Sequence, residues 1–185
     1  MSFRYEIRLS GEGGQGLVLA GKVLAEAAAI YDDKNATQSQ SYGPEARGGA
    51  SRSEVIISDE DIDYPKAVNI DLLLALTQES VNRYAGDLKD DGILLVDEEA
   101  ATDLPDGSFR TFKVPIIKIA REDVGRALVA NIVALGIITE LAGVVSHEAV
   151  EAAILARVPK GTEDLNLRAF KAGIDAAKEV EAQPG

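Results

Sequence analysis

Polar and apolar residues alternate at the start of the chain, where Tyr5-Glu6-Ile7-Arg8-Leu9 predicts a strand with one wet face or near a sheet edge. The period then changes. Leu17, Ala20, Gly21, Leu24, Ala27 and Ala28 recur at helical spacing and predict a buried first helix over 17–30, closed by Asp32-Asp33-Lys34-Asn35. Residues 36–42 are polar and poor in β-branched types, and read as a short strand. A loop follows over 43–49, on its glycine and proline punctuation, and then a strand over 51–58 around Val55-Ile56-Ile57. Residues 59–65 form an acidic turn. Two continuous apolar runs, 71–76 and 92–97, predict strands buried on both faces, and 109–114 predicts another, ended by Pro115. Helices are expected over 78–88, over 121–141, over 147–157 behind a Ser146 cap and over 163–181 behind a Thr162 cap. In the helix over 121–141, Val124, Leu128, Ile132, Leu135 and Ile138 share one face. The last residues, 182–185, read as frayed.

Strands alternating with helices imply an α/β fold, with a mostly parallel sheet covered by helices on both faces. No repeat or linker divides the 185 residues, so one domain over 1–185 is expected, its last helix available to pack on a partner.

Composition narrows the chemistry. There is no cysteine, which excludes thiolate metal sites, iron–sulfur ligation and cysteine nucleophiles on this chain. A single histidine, His147, makes a histidine-rich metal site or a Ser-His-Asp triad improbable, and its place at a helix start suits a surface or capping role. A net charge of −12 makes nucleic acid a poor partner, because affinity there comes from neutralising phosphates. Apolar stretches fall short of the ~20 residues that span a bilayer, and the first residues carry no secretory apolar region. A soluble, cytoplasmic protein is expected.

The charge is uneven. Residues 1–57 carry six Lys/Arg and seven Asp/Glu, with eight of the 17 glycines, so the acid lies beyond them. A near-neutral, glycine-rich segment in an acidic chain is where an anion would bind. Gly11, Gly13 and Gly16 match G-x-G-x-x-G after a strand and before a helix, with Gly14 and Gln15 inside the motif. Glycines allow a tight turn and close approach to a ligand, and the helix start offers free N–H groups. The second strand ends Ser39-Gln40-Ser41-Tyr42, without the acidic residue that holds a dinucleotide ribose, and no Gly-Lys-Ser/Thr follows. A tight packed turn and another anion or cofactor site both remain open.

A second loop runs Tyr42-Gly43-Pro44-Glu45-Ala46-Arg47-Gly48-Gly49-Ala50-Ser51-Arg52. Arg47 and Arg52 could clamp a phosphate or carboxylate, with Tyr42 and Ser51 adding hydroxyls and Gly48 and Gly49 permitting close approach. Pairing of Arg47 with Glu45 or a partner subunit is the alternative. If the second strand neighbours the first, both loops share the carboxyl edge of the sheet. Nothing in the sequence marks an activated nucleophile or base, and Asp97-Glu98-Glu99 reads as a solvated turn.

Arg8-Leu9-Ser10-Gly11-Glu12-Gly13-Gly14-Gln15-Gly16 running into Ala20-Gly21-Lys22, followed by Gln40-Ser41-Tyr42-Gly43-Pro44-Glu45-Ala46-Arg47-Gly48-Gly49-Ala50-Ser51, resembles the gamma subunit of 2-oxoacid:ferredoxin oxidoreductases. Weaker echoes at 54–58, 71–76 and 131–136 extend the likeness over nearly the whole chain. The second motif looks most like 2-oxoglutarate enzymes, while pyruvate, 2-oxoisovalerate and indolepyruvate members share parts of it.

The resemblance implies a Rossmann-like three-layer sandwich. It also implies a complex that oxidatively decarboxylates a 2-oxoacid with coenzyme A, giving acyl-CoA and CO₂ and reducing ferredoxin. Thiamine diphosphate, Mg²⁺ and iron–sulfur clusters would lie mainly on other subunits, with no cofactor bound by this chain alone and no catalytic residue on it. Partners would be alpha, beta and ferredoxin-like delta subunits, with a homodimer possible in isolation. Carried over, Gly11, Gly13, Gly14, Gln15 and Gly16, with Tyr42, Arg47, Gly48, Gly49, Ser51 and Arg52, would hold coenzyme A phosphates or close the active-site cleft. Where fused members carry lysines in the second loop this chain has Glu45 and Arg47, which favours an interface role. A stand-alone nucleotide-binding enzyme and a module recognising an acidic ligand are the competing readings.

Overall fold

The computed structural model describes residues 2–42 and 50–183, without the Tyr42 side chain. The predicted loop over 43–49, with Arg47, Gly48 and Gly49, and the end of the tail, Pro184 and Gly185, lie outside the described residues. Six strands build one sheet: β1 (Arg4–Glu12), β2 (Asn35–Tyr42), β3 (Ala50–Ser58), β4 (Ile70–Ala75), β5 (Leu88–Asp97) and β6 (Arg110–Val114), in the order β2-β3-β1-β4-β5-β6. β1, β4, β5 and β6 run parallel, while β3 is antiparallel to both β1 and β2.

β2 therefore does not neighbour β1. Only a few residues join it to β3, too short a link for a parallel crossover, so the two pair antiparallel and β3 takes the place beside β1. β2 is pushed to the sheet edge.

Alternate strand residues feed two cores. On one face Ile7, Leu9, Val55, Leu72, Leu74 and Leu95 pack under α1 (Leu17–Glu26), α4 (Ala130–Ala142), α5 (His147–Arg157) and α6 (Glu163–Ala182). On the other, Ile56, Ile70, Leu73, Leu94 and Val96 meet Val81 of α2 (Gln78–Tyr84) and Ala101. These are the three layers that an alternating βα pattern predicts. α4 and α6 cross closely because Gly136 and Gly173 carry no Cβ: a Cβ on Gly136 would overlap the Phe170 carbonyl, and one on Gly173 the Val133 carbonyl.

Further expectations change, among them the solvated turn at Asp97-Glu98-Glu99: Asp97 ends β5 at 2% exposure and accepts the Glu99 and Ala100 N–H groups at 3.0 Å. β1 is central rather than at an edge, and its polar residues are buried, Glu6 at 2%, Arg8 at 4% and Ser10 at 0% exposure. Burial of such charges requires partners. Glu6 accepts the N–H groups of Val68 and Asn69 at 3.1 and 2.7 Å. Arg8 pairs with Asp87 at 2.6 Å and Glu54 at 3.3 Å, over the Tyr84 ring.

The helix expected over 121–141 is broken. The short α3 (Ile116–Lys118) continues as a π-helical turn, Ile119–Val124, and stops at Gly125, whose φ of 106° is open to glycine and strained for other residues. A 3-10 turn, Ala127–Val129, then leads into α4, and Leu128 stands 77% exposed instead of sharing the buried stripe.

Thr162 precedes α6 without a side-chain capping bond; its hydroxyl donates to the Pro159 carbonyl at 2.6 Å. Ser146 does cap α5, accepting the Ala149 N–H at 3.1 Å.

Candidate functional site

The glycine motif sits where β1 hands over to α1. β1 turns into α1 on one face of the sheet, while its parallel neighbour β4 turns through Thr77 into α2 on the other. Loops that diverge in this way leave a crevice at the carboxyl ends of the strands. Here it encloses about 450 Å³ between Gly11, Glu12 and Gln15 on one side and Leu76, Thr77, Gln78 and Glu79 on the other, with Ala100 and Ile117.

The glycines differ in their surroundings. Gly11 still belongs to β1, and a Cβ there would overlap the Gln15 amide, which folds back so that its Oε1 accepts the Glu12 N–H at 2.7 Å. Gly13 is exposed. Gly14 has a φ of 90° and open space around it. Gly16, at φ 76°, begins α1 without a side-chain cap, and a Cβ would come within 2.5 Å of the Asn131 amide. The loop thus closes on its own glutamine and on a buried asparagine of α4.

The crevice is acidic. Among the described residues its charged lining is Glu12 and Glu79, both exposed, with Glu79 paired to Arg83 at 3.2 Å. Two carboxylates disfavour a phosphate there. Thr77 of the lining belongs to a hydroxyl chain that runs into the core: Ser10 donates to Ser80 at 2.8 Å, and Ser80 meets Thr77 at 2.9 Å. Gln78 pins the opposite wall, accepting the Thr102 and Asp103 N–H groups, each at 3.0 Å.

Behind the loop lies a different cavity of about 300 Å³. Gly14 and Gly16 form one wall, Leu19, Val129, Val158 and Leu165 make it apolar, and Arg126 and Leu128 stand at its rim. The glycine loop is the partition between the two.

The second motif reaches the same edge by another route than expected. Ser51 of β3 is opposite both Gly11 and Tyr42, and Ala50 is opposite Glu12. Ala50 and Ser51, which follow the 43–49 segment, therefore meet the glycine loop with β3, not β2, as the neighbour of β1.

Ser51 is buried at 5% exposure. Arg52 is ion-paired with Glu54, its Nε 3.2 Å from the carboxylate without hydrogen-bond geometry, and its guanidinium is 5.5 Å from the Tyr84 ring, which Arg8 shares at 4.9 Å. Asp87, Arg8, Glu54 and Arg52 form an alternating chain of charge across the sheet face. Arg47, Gly48 and Gly49 lie outside the described residues.

Away from this edge, His147 pairs with Glu140 at 2.9 Å and meets the Phe170 ring edge-on. Among the described residues no three His, Cys, Asp or Glu side chains are grouped to hold a metal ion, and no helix is long and apolar enough to cross a membrane.

Asn131, Gln78 and Arg126 went unnoticed in the sequence. Asn131 had a signal, a lone polar residue inside the apolar run Leu128 to Ile138.

This glycine-loop crevice on a sheet with one reversed strand defines a class. Residues 6–176 match the family described as pyruvate ferredoxin/flavodoxin oxidoreductase, and the chain belongs to it. It is 53% identical over 182 residues to the 2-oxoglutarate synthase subunit KorC of Methanocaldococcus jannaschii, covering 97% of each chain. It is 56% identical to the crystallised gamma subunit of a keto/oxoacid ferredoxin oxidoreductase from Geobacter sulfurreducens, with a TM-score of 0.90 over 96% of this chain and 98% of that one. The fold recurs, at 22% identity and a TM-score of 0.84, in a 2-oxoglutarate:ferredoxin oxidoreductase from Magnetococcus marinus with 2-oxoglutarate, coenzyme A and succinyl-CoA bound. That likeness covers 98% of this chain and 32% of the larger one.

Proposed function

We propose that this chain is the gamma subunit of a cytoplasmic, multisubunit 2-oxoacid:ferredoxin oxidoreductase whose favoured substrate is 2-oxoglutarate. The complex converts the 2-oxoacid and coenzyme A to acyl-CoA and CO₂ and passes two electrons to ferredoxin. The end-to-end 53% identity with a 2-oxoglutarate synthase subunit carries this reading. Alpha, beta and ferredoxin-like delta subunits are its partners, and they hold thiamine diphosphate, Mg²⁺ and the iron–sulfur clusters. The cysteine-free sequence is consistent with that division. A stand-alone nucleotide-binding enzyme is not favoured: the crevice beside the glycine loop presents Glu12 and Glu79 where phosphates would have to sit.

The role of this chain is to close the coenzyme A side of the active-site cleft. Its glycine loop and the start of β3 meet at Gly11 and Ser51, and the carboxylates of the described crevice lining favour closure over a phosphate cradle there. From the sequence motif we assign Arg47 as the cation that contacts a coenzyme A phosphate. In the complex, Arg47→Ala should raise KM for coenzyme A several-fold with kcat nearly kept; an unchanged KM in an intact assembly would remove Arg47 from that role.

The experiment for the function is recovery of the chain with its native partners and assay of 2-oxoacid-dependent, coenzyme A-dependent viologen reduction. 2-Oxoglutarate should give the highest kcat/KM. A preference for pyruvate or 2-oxoisovalerate would keep the family and overturn the substrate.

A further inference from the structure

The two edges of the sheet are built differently. β6 is five residues long and exposes Arg110 and Lys113, charges that discourage pairing with another strand. β2 is eight residues long, Asn-Ala-Thr-Gln-Ser-Gln-Ser-Tyr, with no charge and no proline. It pairs with β3 in unbroken register from Asn35 opposite Ser58 to Tyr42 opposite Ser51, so no bulge twists its free side away. Ser39, Gln40 and Ser41 are exposed. A long, regular, uncharged edge is a template for an added strand.

We infer that β2 is the docking edge for a second copy of this chain, paired antiparallel with its own β2 about a two-fold axis at Ser39. The sequence around that residue reads alike in both directions: Thr37-Gln38-Ser39-Gln40-Ser41, hydroxyl, amide, hydroxyl, amide, hydroxyl. A two-fold contact requires such self-complementarity, because each residue meets its symmetry-related position. Centred on Ser39, the pairing sets Thr37 against the second copy's Ser41 and Gln38 against its Gln40.

The faces also agree. Thr37 is opposite Ile56, so Thr37, Ser39 and Ser41 lie on the face away from α1, while Gln38 lies on the α1 face and donates to Ser53 at 3.2 Å. Gln38 already donates to Gln40 at 3.0 Å within one strand, and the pair extends that amide ladder across the interface.

Charge selects the same edge. The chain carries −12 overall, yet β2 carries none and residues 1–57 are nearly balanced, so two copies meet where they repel least. The result is a continuous twelve-stranded sheet whose two outer edges are the guarded β6 strands. This inference stands independently of the reaction proposed above.

The absence of cysteine makes the test clean. Ser39→Cys places one thiol opposite its own copy, within reach of a disulfide. Under mild oxidation the purified full chain should become a covalent dimer, while Thr111→Cys on β6 should not. The unmodified chain should sediment as a dimer, and Ser39→Lys, which opposes two ammonium groups, should weaken it at least tenfold while leaving the circular dichroism spectrum unchanged. A chain that is monomeric at every concentration overturns the inference, as does a dimer indifferent to Ser39→Lys or equal crosslinking at the two cysteines. A monomeric chain whose assembly with other subunits is lost on Ser39→Lys also overturns it, in favour of a partner's strand.

Discussion

Asn131 and Gly16 meet across the helix layer: the Asn131 Nδ2 donates to the Gly16 carbonyl at 3.2 Å, while its amide fills the space where a Gly16 Cβ would stand. The last glycine of the loop is therefore held by the polar residue in the apolar first turns of α4. Gly16→Ala should cost about 2–3 kcal/mol, from the left-handed backbone and the displaced amide together. In an Asn131→Ala background the overlap is gone, and the same substitution should cost only ~1 kcal/mol. Urea unfolding of the four proteins checks the cycle; additive effects would mean the two residues do not share the site.

The charge chain on the opposite sheet face should be graded by burial. Glu54 lies between Arg8 and Arg52, and its side chain is only 13% exposed. Glu54→Ala leaves two guanidinium groups facing Tyr84 with one remaining carboxylate, Asp87, and should cost about 3 kcal/mol. Asp87 is half exposed, and Asp87→Ala should cost under ~1 kcal/mol. Chemical denaturation of both variants gives the order, and equal costs would contradict it.

The crossing of α4 and α6 makes a sharper demand. Gly136→Ala or Gly173→Ala should each destabilise by about 2–3 kcal/mol, since backbone carbonyls stand where the methyl would go. Gly86→Ala, in open space at the end of α2, is the control and should be close to neutral.

These relationships show how far the sequence could be read. The strands at 71–76 and 92–97 were legible because continuous apolar runs suit burial on both faces, and Ser146 was legible because a cap acts on its own helix. The central place of β1 was not. Its Glu6, Arg8 and Ser10 follow a wet-face alternation, and the partners that bury them come from residues 54 to 87, which no local pattern connects. The break at Gly125 was hidden beneath a helical spacing that runs on through it. Of the candidate site, the glycine loop was found by its motif, but its acidic lining arises from Glu79, remote in sequence from Glu12. Arg52 read as a free clamp although its partner Glu54 lies two residues along the same strand face, a pairing that the strand period made legible.

The surface pair of Arg157 and Glu26 predicts a pH dependence. The Arg157 guanidinium, hydrogen-bonded at 2.9 Å to the carboxylate, holds Glu26 below the usual carboxylate range. A carboxylate lowered in this way contributes stability at neutral pH and loses it as pH falls through its folded value, on the acid side of ~4.3. Glu26→Gln should therefore be slightly less stable than the parent at pH 7, with the gap narrower at an acid pH below the ordinary carboxylate range. Thermal melts at the two values test this, and a gap independent of pH would contradict it.

The measurement closest to the central claim is reconstitution of the oxidoreductase with this chain present and left out. The account predicts that 2-oxoglutarate- and coenzyme A-dependent viologen reduction appears only when the chain joins its alpha, beta and delta partners. It also predicts that Gly16→Ala chain restores less of it. Full activity from partners alone, or failure of the chain to enter an assembly whose other members are intact, would contradict it.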